Sequence, residues 1–353
     1  MSEPRCLASE TLLESGYRAV VLENEILSVT VLPEKGADIY SLVYKPRSMD
    51  ILWKSPWGLK PLDRAIASGG SSEETWLEHY EGGWQEIFPN GGNACVYKGC
   101  RLNFHGEASL LSWNCSLERH PDWVAAESTV STFRSPFSLK RKMLVEAGRP
   151  VVRISEKIVN HAEEEMHFMW GHHPALGKPF LGDSCWIQLP TARFQAHSTE
   201  YAPTCRIPAG TVAPWPMVPG KEGAVDLSQV PPESQRVYEY GYITDLDQGW
   251  YAITSRQHDF SFGMVWPLRV FPFLWLWQEL RGSFGHPWYG RAYVMAMEPF
   301  TSIPGTGLAD AIAAGNAPVL PPGGSIEAEL AAWFIEGQSR IETLDRNEVR
   351  LVK

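Results

Sequence analysis

The chain has 353 residues, enough to bury a large core, and a formal net charge of −10 from 31 Lys and Arg against 41 Asp and Glu. Its charges are dispersed, so it offers neither nucleic acid nor an anionic membrane surface the basic footprint that each requires. Residues 1–17 lack the basic start and apolar run of a secretory signal, and no later stretch is apolar for long enough to span a bilayer, which predicts a soluble, cytoplasmic protein.

In chain order, the first periodic stretch is 19–32, which alternates as a strand does, followed by a weak helical pattern over 73–80. Over 137–145 the odd positions carry Phe137, Leu139, Met143 and Val145, with Arg141 as the exception and Lys140 and Lys142 on the other face. Further strands are predicted at 151–159, 235–244, 250–255, 260–265 and 325–335, and one short helix at 306–314, stopped by Gly315. The Pro-rich stretch 203–232 reads as a loop packed on the body through Trp215, Met217 and Val225. Many strands, few helices and no βαβ rhythm predict an all-β chain of antiparallel sheets packed as a sandwich, in one domain. The cysteines Cys6, Cys95, Cys100, Cys115, Cys185 and Cys205 have no paired CxxC spacing, a pattern of free thiols rather than of a disulfide framework or zinc ribbon.

Three polar clusters stand at strand ends: Asn103-Phe104-His105-Gly106-Glu107, Gly171-His172-His173-Pro174 and Ala296-Met297-Glu298-Pro299. Alternation through 165–173 puts Met166, Phe168, Trp170 and His172 on one side and His167, Met169, Gly171 and His173 on the other, so His173 faces a cleft and His172 the core. Over 292–298 it groups Glu298 with the small Ala292, Val294 and Ala296, leaving room beside the carboxylate. The run 273–279 places Phe273, Trp275, Trp277 and Glu279 on one face. Rings beside a carboxylate suit a sugar, whose C–H face they cover while polar groups take its hydroxyls. A carboxylate with an imidazole can move the two protons that opening a sugar ring requires.

The ordered set Phe104-His105-Gly106, His172-His173-Pro174-Ala175-Leu176-Gly177, Met297-Glu298-Pro299 and Pro321-Pro322-Gly323-Gly324-Ser325, preceded by Leu32-Pro33-Glu34-Lys35-Gly36-Ala37, resembles the aldose 1-epimerase (galactose mutarotase) family over about residues 20–336. The resemblance implies a β-supersandwich and interconversion of the α and β anomers of a free sugar, with no metal, nucleotide or redox cofactor. It assigns Glu298 as general base on the C1 hydroxyl, His173 as general acid on the ring oxygen, and His105 as a substrate hydrogen-bond partner. The arginine-bearing segment of the galactose-converting members is replaced here by residues 82–92, which hold no arginine, and the nearest acid to their substrate-binding aspartate is Glu239. Asn90, Trp277, Gln278 and Glu279 are the expected replacement contacts. Lys178, Arg281 and Arg291 lie near the motifs and would serve an anionic sugar, although solvated surface charge is their commoner role. Two other classes fit these residues: a non-catalytic carbohydrate-binding protein, and a metal-dependent isomerase using His105, Glu107, His172 and His173.

Overall fold

The computed structural model describes residues 5–63 and 70–352. Period-two patterning becomes two large antiparallel sheets, one of twelve strands and one of eight. Strand Phe137–Glu146 shows how: Phe137, Leu139, Met143 and Val145 point into the core, and Lys140 and Lys142 lie on the solvent side. Side chains of both sheets, among them Val29, Met295, Ile154 and Phe334, share one apolar core, and burial of that surface is the main force holding the sheets together.

The all-β expectation therefore stands, with local corrections. Stretch 19–32 is a hairpin, Arg18–Asn24 and Leu27–Leu32, because the Asn24 side chain accepts the amides of Ile26 and Leu27 and turns the chain there. The 203–232 segment carries short strands, Val212–Pro214, Met217–Gly220 and Gly223–Asp226. It is anchored by buried Val218 and Leu227, whereas Met217 is half-exposed. Helix α1 (Ser72–Glu78) starts one residue earlier than its pattern, where Ser71 and Glu74 form a capping box. Helix α2 is Leu308–Ala313. All six cysteines are free. Among the described residues no helix is long and apolar enough to cross a membrane.

Four neighbouring strands in the middle of the larger sheet position the polar clusters: Trp84–Ile87, Gly171–Gly177 (the histidine strand), Tyr293–Phe300 (the glutamate strand) and Phe273–Leu280 (the tryptophan strand). Val237–Thr244, the tyrosine strand, follows. The register pairs Gly171 with Phe300 and Ala175 with Ala296, which sets His173 opposite Glu298; on its other flank His173 pairs with Gln85. Glu298 in turn pairs with Trp275 and Trp275 with Tyr242. Residues paired across strands share a face, so the register itself lines up the acid–base groups in one row.

Candidate active site

That row forms the floor of a cleft of about 300 Å³ lined by His105, His173, Glu298, Trp76, Trp277 and others. His173 Nε2 lies 3.7 Å from Glu298 Oε1, a spacing at which both groups can reach two adjacent oxygens of one small molecule lying over them. Glu298 Oε2 is buried with no hydrogen-bond partner among the described residues. A buried acceptor left so is costly unless a ligand serves it.

A hydrogen bond sets the His105 tautomer. The Gly92 amide donates to His105 Nδ1 at 3.1 Å, so the ring proton is on Nε2 and His105 is a donor. The Tyr80 hydroxyl lies 3.5 Å from His173 Nδ1, and His173 Nε2 is the ring nitrogen turned toward Glu298. Burial pushes His173 down to about 4, and burial, then the charge of His173, holds His105 well below the usual imidazole range. Burial also raises Glu298 well above the usual carboxylate range. Between about pH 4 and the raised Glu298 value, the His173–Glu298 pair thus carries one dissociable proton.

His105 itself is held in the left-handed region, with φ of 54°, and its amide donates to the Gly92 carbonyl at 3.0 Å. Gly92 has φ of 72°, and a Cβ there would lie 1.7 Å from the Gly305 carbonyl oxygen. Gly92→Ala is therefore expected to destabilise the fold by at least about 1–3 kcal/mol and to raise KM by displacing His105. Thermal melting and steady-state kinetics check this; an unchanged KM would show that His105 does not touch the substrate.

Of the seven residues singled out from sequence, His105, His173, Glu298 and Trp277 converge on the cleft. The other three do not line it. Asn90 is fully buried and consumed: its Nδ2 donates to the carbonyls of Asn93 and Asn103, and its Oδ1 accepts the Leu308 amide. Gln278 points to the opposite sheet face, its amide against Met295 Sδ. Glu279 shares the face of Trp277, but its Oε1 accepts the amides of Gly282 and Ser283 at 2.7 and 3.0 Å. Glu239 is engaged by the Arg206 amide and guanidinium.

The metal set does not assemble, because His172 lies on the core face and Glu107 accepts the amides of Phe133 and Arg134. His172 joins a buried network instead. Its Nδ1 accepts the Trp84 indole at 3.2 Å, and its Nε2 therefore donates to Glu156 at 3.0 Å. Glu86, Glu156 and His172 lie close enough to bind a cation, but the Arg141 guanidinium already supplies the positive charge, 3.1 Å from Glu86. Arg141, the odd residue of its strand pattern, is thereby explained.

Sequence reasoning missed Trp76 and Tyr80, stacked on each other at 4.7 Å, with Trp76 edge-on to His105 at 4.6 Å. Their i, i+4 spacing at α1 was the available signal. It also missed Trp288, 5.6 Å from Trp277, and Tyr240, which pairs with Trp277; Trp288 comes from a loop without periodicity.

A comparison with curated proteins finds no match. Solved structures do match in fold. A provisionally assigned aldose 1-epimerase of Klebsiella pneumoniae superposes with a TM-score of 0.71 at 16% identity, over 94% of this chain and 83% of that one. A galactose mutarotase-like protein of Clostridium acetobutylicum gives 0.66 at 14%, over 94% and 99%. The galactose 1-epimerase of Lactobacillus acidophilus gives 0.60 at 10%, over 95% and 100%. At these identities the likeness concerns the fold, which is galactose mutarotase-like. Residues 14–332 match the family described as "Domain of unknown function (DUF4432)", and the chain belongs to that family.

Proposed function

We propose that the protein is a cofactor-independent mutarotase acting on a neutral free sugar. The observation that carries this reading is the pairing of Glu298 and His173 across adjacent strands, 3.7 Å apart, on a cleft floor beside Trp277 and the donor His105. In the reactive form the pair's one dissociable proton is on His173: Glu298, as the carboxylate, takes the proton of the C1 hydroxyl while the His173 imidazolium Nε2–H protonates the ring oxygen. The C1–O5 bond breaks to give an aldehyde and the O5 hydroxyl. After rotation about C1–C2 the hydroxyl attacks the other face of the carbonyl, with proton transfers reversed. His105 Nε2–H donates to a substrate oxygen, and Trp277 covers an apolar ring face.

Neutrality follows from the lining. Among the described residues no Lys or Arg borders the cleft. Lys178 and Arg281 both pair with Glu233, and Arg291 stacks on Trp57 at 4.7 Å. An anionic sugar would find no cationic Lys or Arg side chain in the described lining to pair with.

Saturation-transfer NMR over neutral and phosphorylated aldoses tests the proposal. Accelerated exchange is expected for a neutral sugar and not for its phosphate; binding without acceleration for any sugar would favour a carbohydrate-binding protein. The pH profile has a specific form. Activity falls as pH drops through about 4, where His173 and Glu298 both hold protons and no base remains. It falls again as pH rises through the raised Glu298 value, where the pair has lost its proton and no acid remains. A single limb centred on an ordinary carboxylate pKa would contradict it.

A further inference from the structure

We propose that the cleft continues beyond the reacting ring and holds a second, neutral pyranose ring, so that the preferred substrate is a reducing disaccharide. This rests on the mutarotase reading. The sheet gives the scale. Glu298, Trp275 and Tyr242 lie in one cross-strand row; two residues along come Ala296, Trp277 and Tyr240, and two further Val294, Glu279 and Tyr238. Four residues at about 3.4 Å each put Tyr238 roughly 13–14 Å from the acid–base row. Tyr238 nevertheless borders the same cleft, as do Tyr201 and Phe284. That span suits two pyranose rings better than one.

The far end is chemically a sugar site. Tyr201 and Phe284 are 49% and 59% exposed, large rings that folding leaves uncovered, and both are turned to the cleft rather than scattered on the surface. Their faces can cover the C–H face of a pyranose, with the hydroxyls of Ser283 and Tyr238 nearby. Phe284 is also preformed: Glu279 clamps the amides of Gly282 and Ser283 beside it, and the Arg236 guanidinium covers its ring at 4.8 Å. A fixed wall lowers the ordering cost of binding.

Reaction chemistry fixes how the second ring is attached. Glu298 requires a free C1 hydroxyl, so whatever fills the far end is joined through another hydroxyl of the reacting sugar. That describes a glycoside with a free reducing end. Among the described residues no Lys or Arg borders the cleft, a lining that suits a neutral distal ring.

Exchange kinetics with glucose, galactose, maltose, cellobiose and lactose decide the matter. The expected result is a kcat/KM at least tenfold higher for one disaccharide than for glucose, its reducing-end sugar. Phe284→Ala and Tyr201→Ala are each expected to raise KM for that disaccharide tenfold or more while leaving glucose within twofold. Preference for the monosaccharides, or variants that slow both substrates alike, would overturn the second ring and leave the mutarotase reading intact. Failure to accelerate any sugar would remove the mutarotase reading; calorimetric titration with the same sugars then tests the cleft directly, and disaccharides binding no tighter than glucose would overturn the second ring as well.

Discussion

Anomer exchange is expected to lose about 10²–10⁴-fold of its acceleration in Glu298→Gln, and as much in His173→Asn, with sugar binding retained. The amide introduced by Glu298→Gln keeps the size of the carboxylate and can still accept a hydrogen bond, but it cannot take a proton. The amide introduced by His173→Asn has no acidic proton to deliver to the ring oxygen. Both groups act in one concerted passage of protons, so the double variant should be scarcely slower than either single one. Saturation-transfer NMR measures the exchange, and calorimetry checks that the cleft is still formed. Full activity in both single variants would remove these residues from the chemistry.

The second large effect concerns stability. Glu86 and Glu156 lie side by side in the core; burial, then the charge of Glu156, pushes Glu86 up to about 8, and burial pushes Glu156 to about 7. The folded chain therefore holds protons through a range in which ordinary unfolded carboxyls have lost them. The contribution of these two groups to stability should fall as pH rises from about 4.5 toward 8, by about 1.4 kcal/mol per pH unit for each group held protonated. Up to about pH 6.5 that fall is opposed by His105, His172 and His173, which the fold holds neutral.

Arg141 bonds to Glu86 and to the Ala37 carbonyl and supplies the charge that tolerates one carboxylate there. Arg141→Met breaks a buried pair and should cost about 3–5 kcal/mol near pH 8, and less at pH 5, where protons replace the guanidinium. Denaturant unfolding at the two pH values measures this. A loss independent of pH would mean that Glu86 and Glu156 are not the groups that respond.

Strand phase was legible because it depends only on alternation. It separated His172 from His173 and placed Glu298 among small neighbours, and both assignments match the sheet. Arg141 stood out as an exception, yet its reason lies in Glu86, 55 residues away, which no local pattern carries. Gln278 was chosen for its polarity, although its own alternation with Trp277 placed it on the other face. Asn90 and Glu279 are polar and near the motifs, and only three-dimensional structure shows that backbone amides and carbonyls already engage their side chains. The loop that brings Trp288 to Trp277 has no period at all, and periodicity is the signal that sequence reading depends on.

The cross-strand pairing of His173 with Glu298 has a consequence for redesign. Their separation is governed by the spacing of adjacent strands, about 4.8 Å, and by a register whose slip by one residue would replace them with their core-facing neighbours. In the proposed mutarotase the proton transfer is therefore carried by the hydrogen-bond ladder, while α1 and the 282–291 loop, which also border the cleft, come from outside these central strands. Grafting other 282–291 loops onto this sheet should change which sugar the proposed site accepts while leaving the His173–Glu298 pair in place.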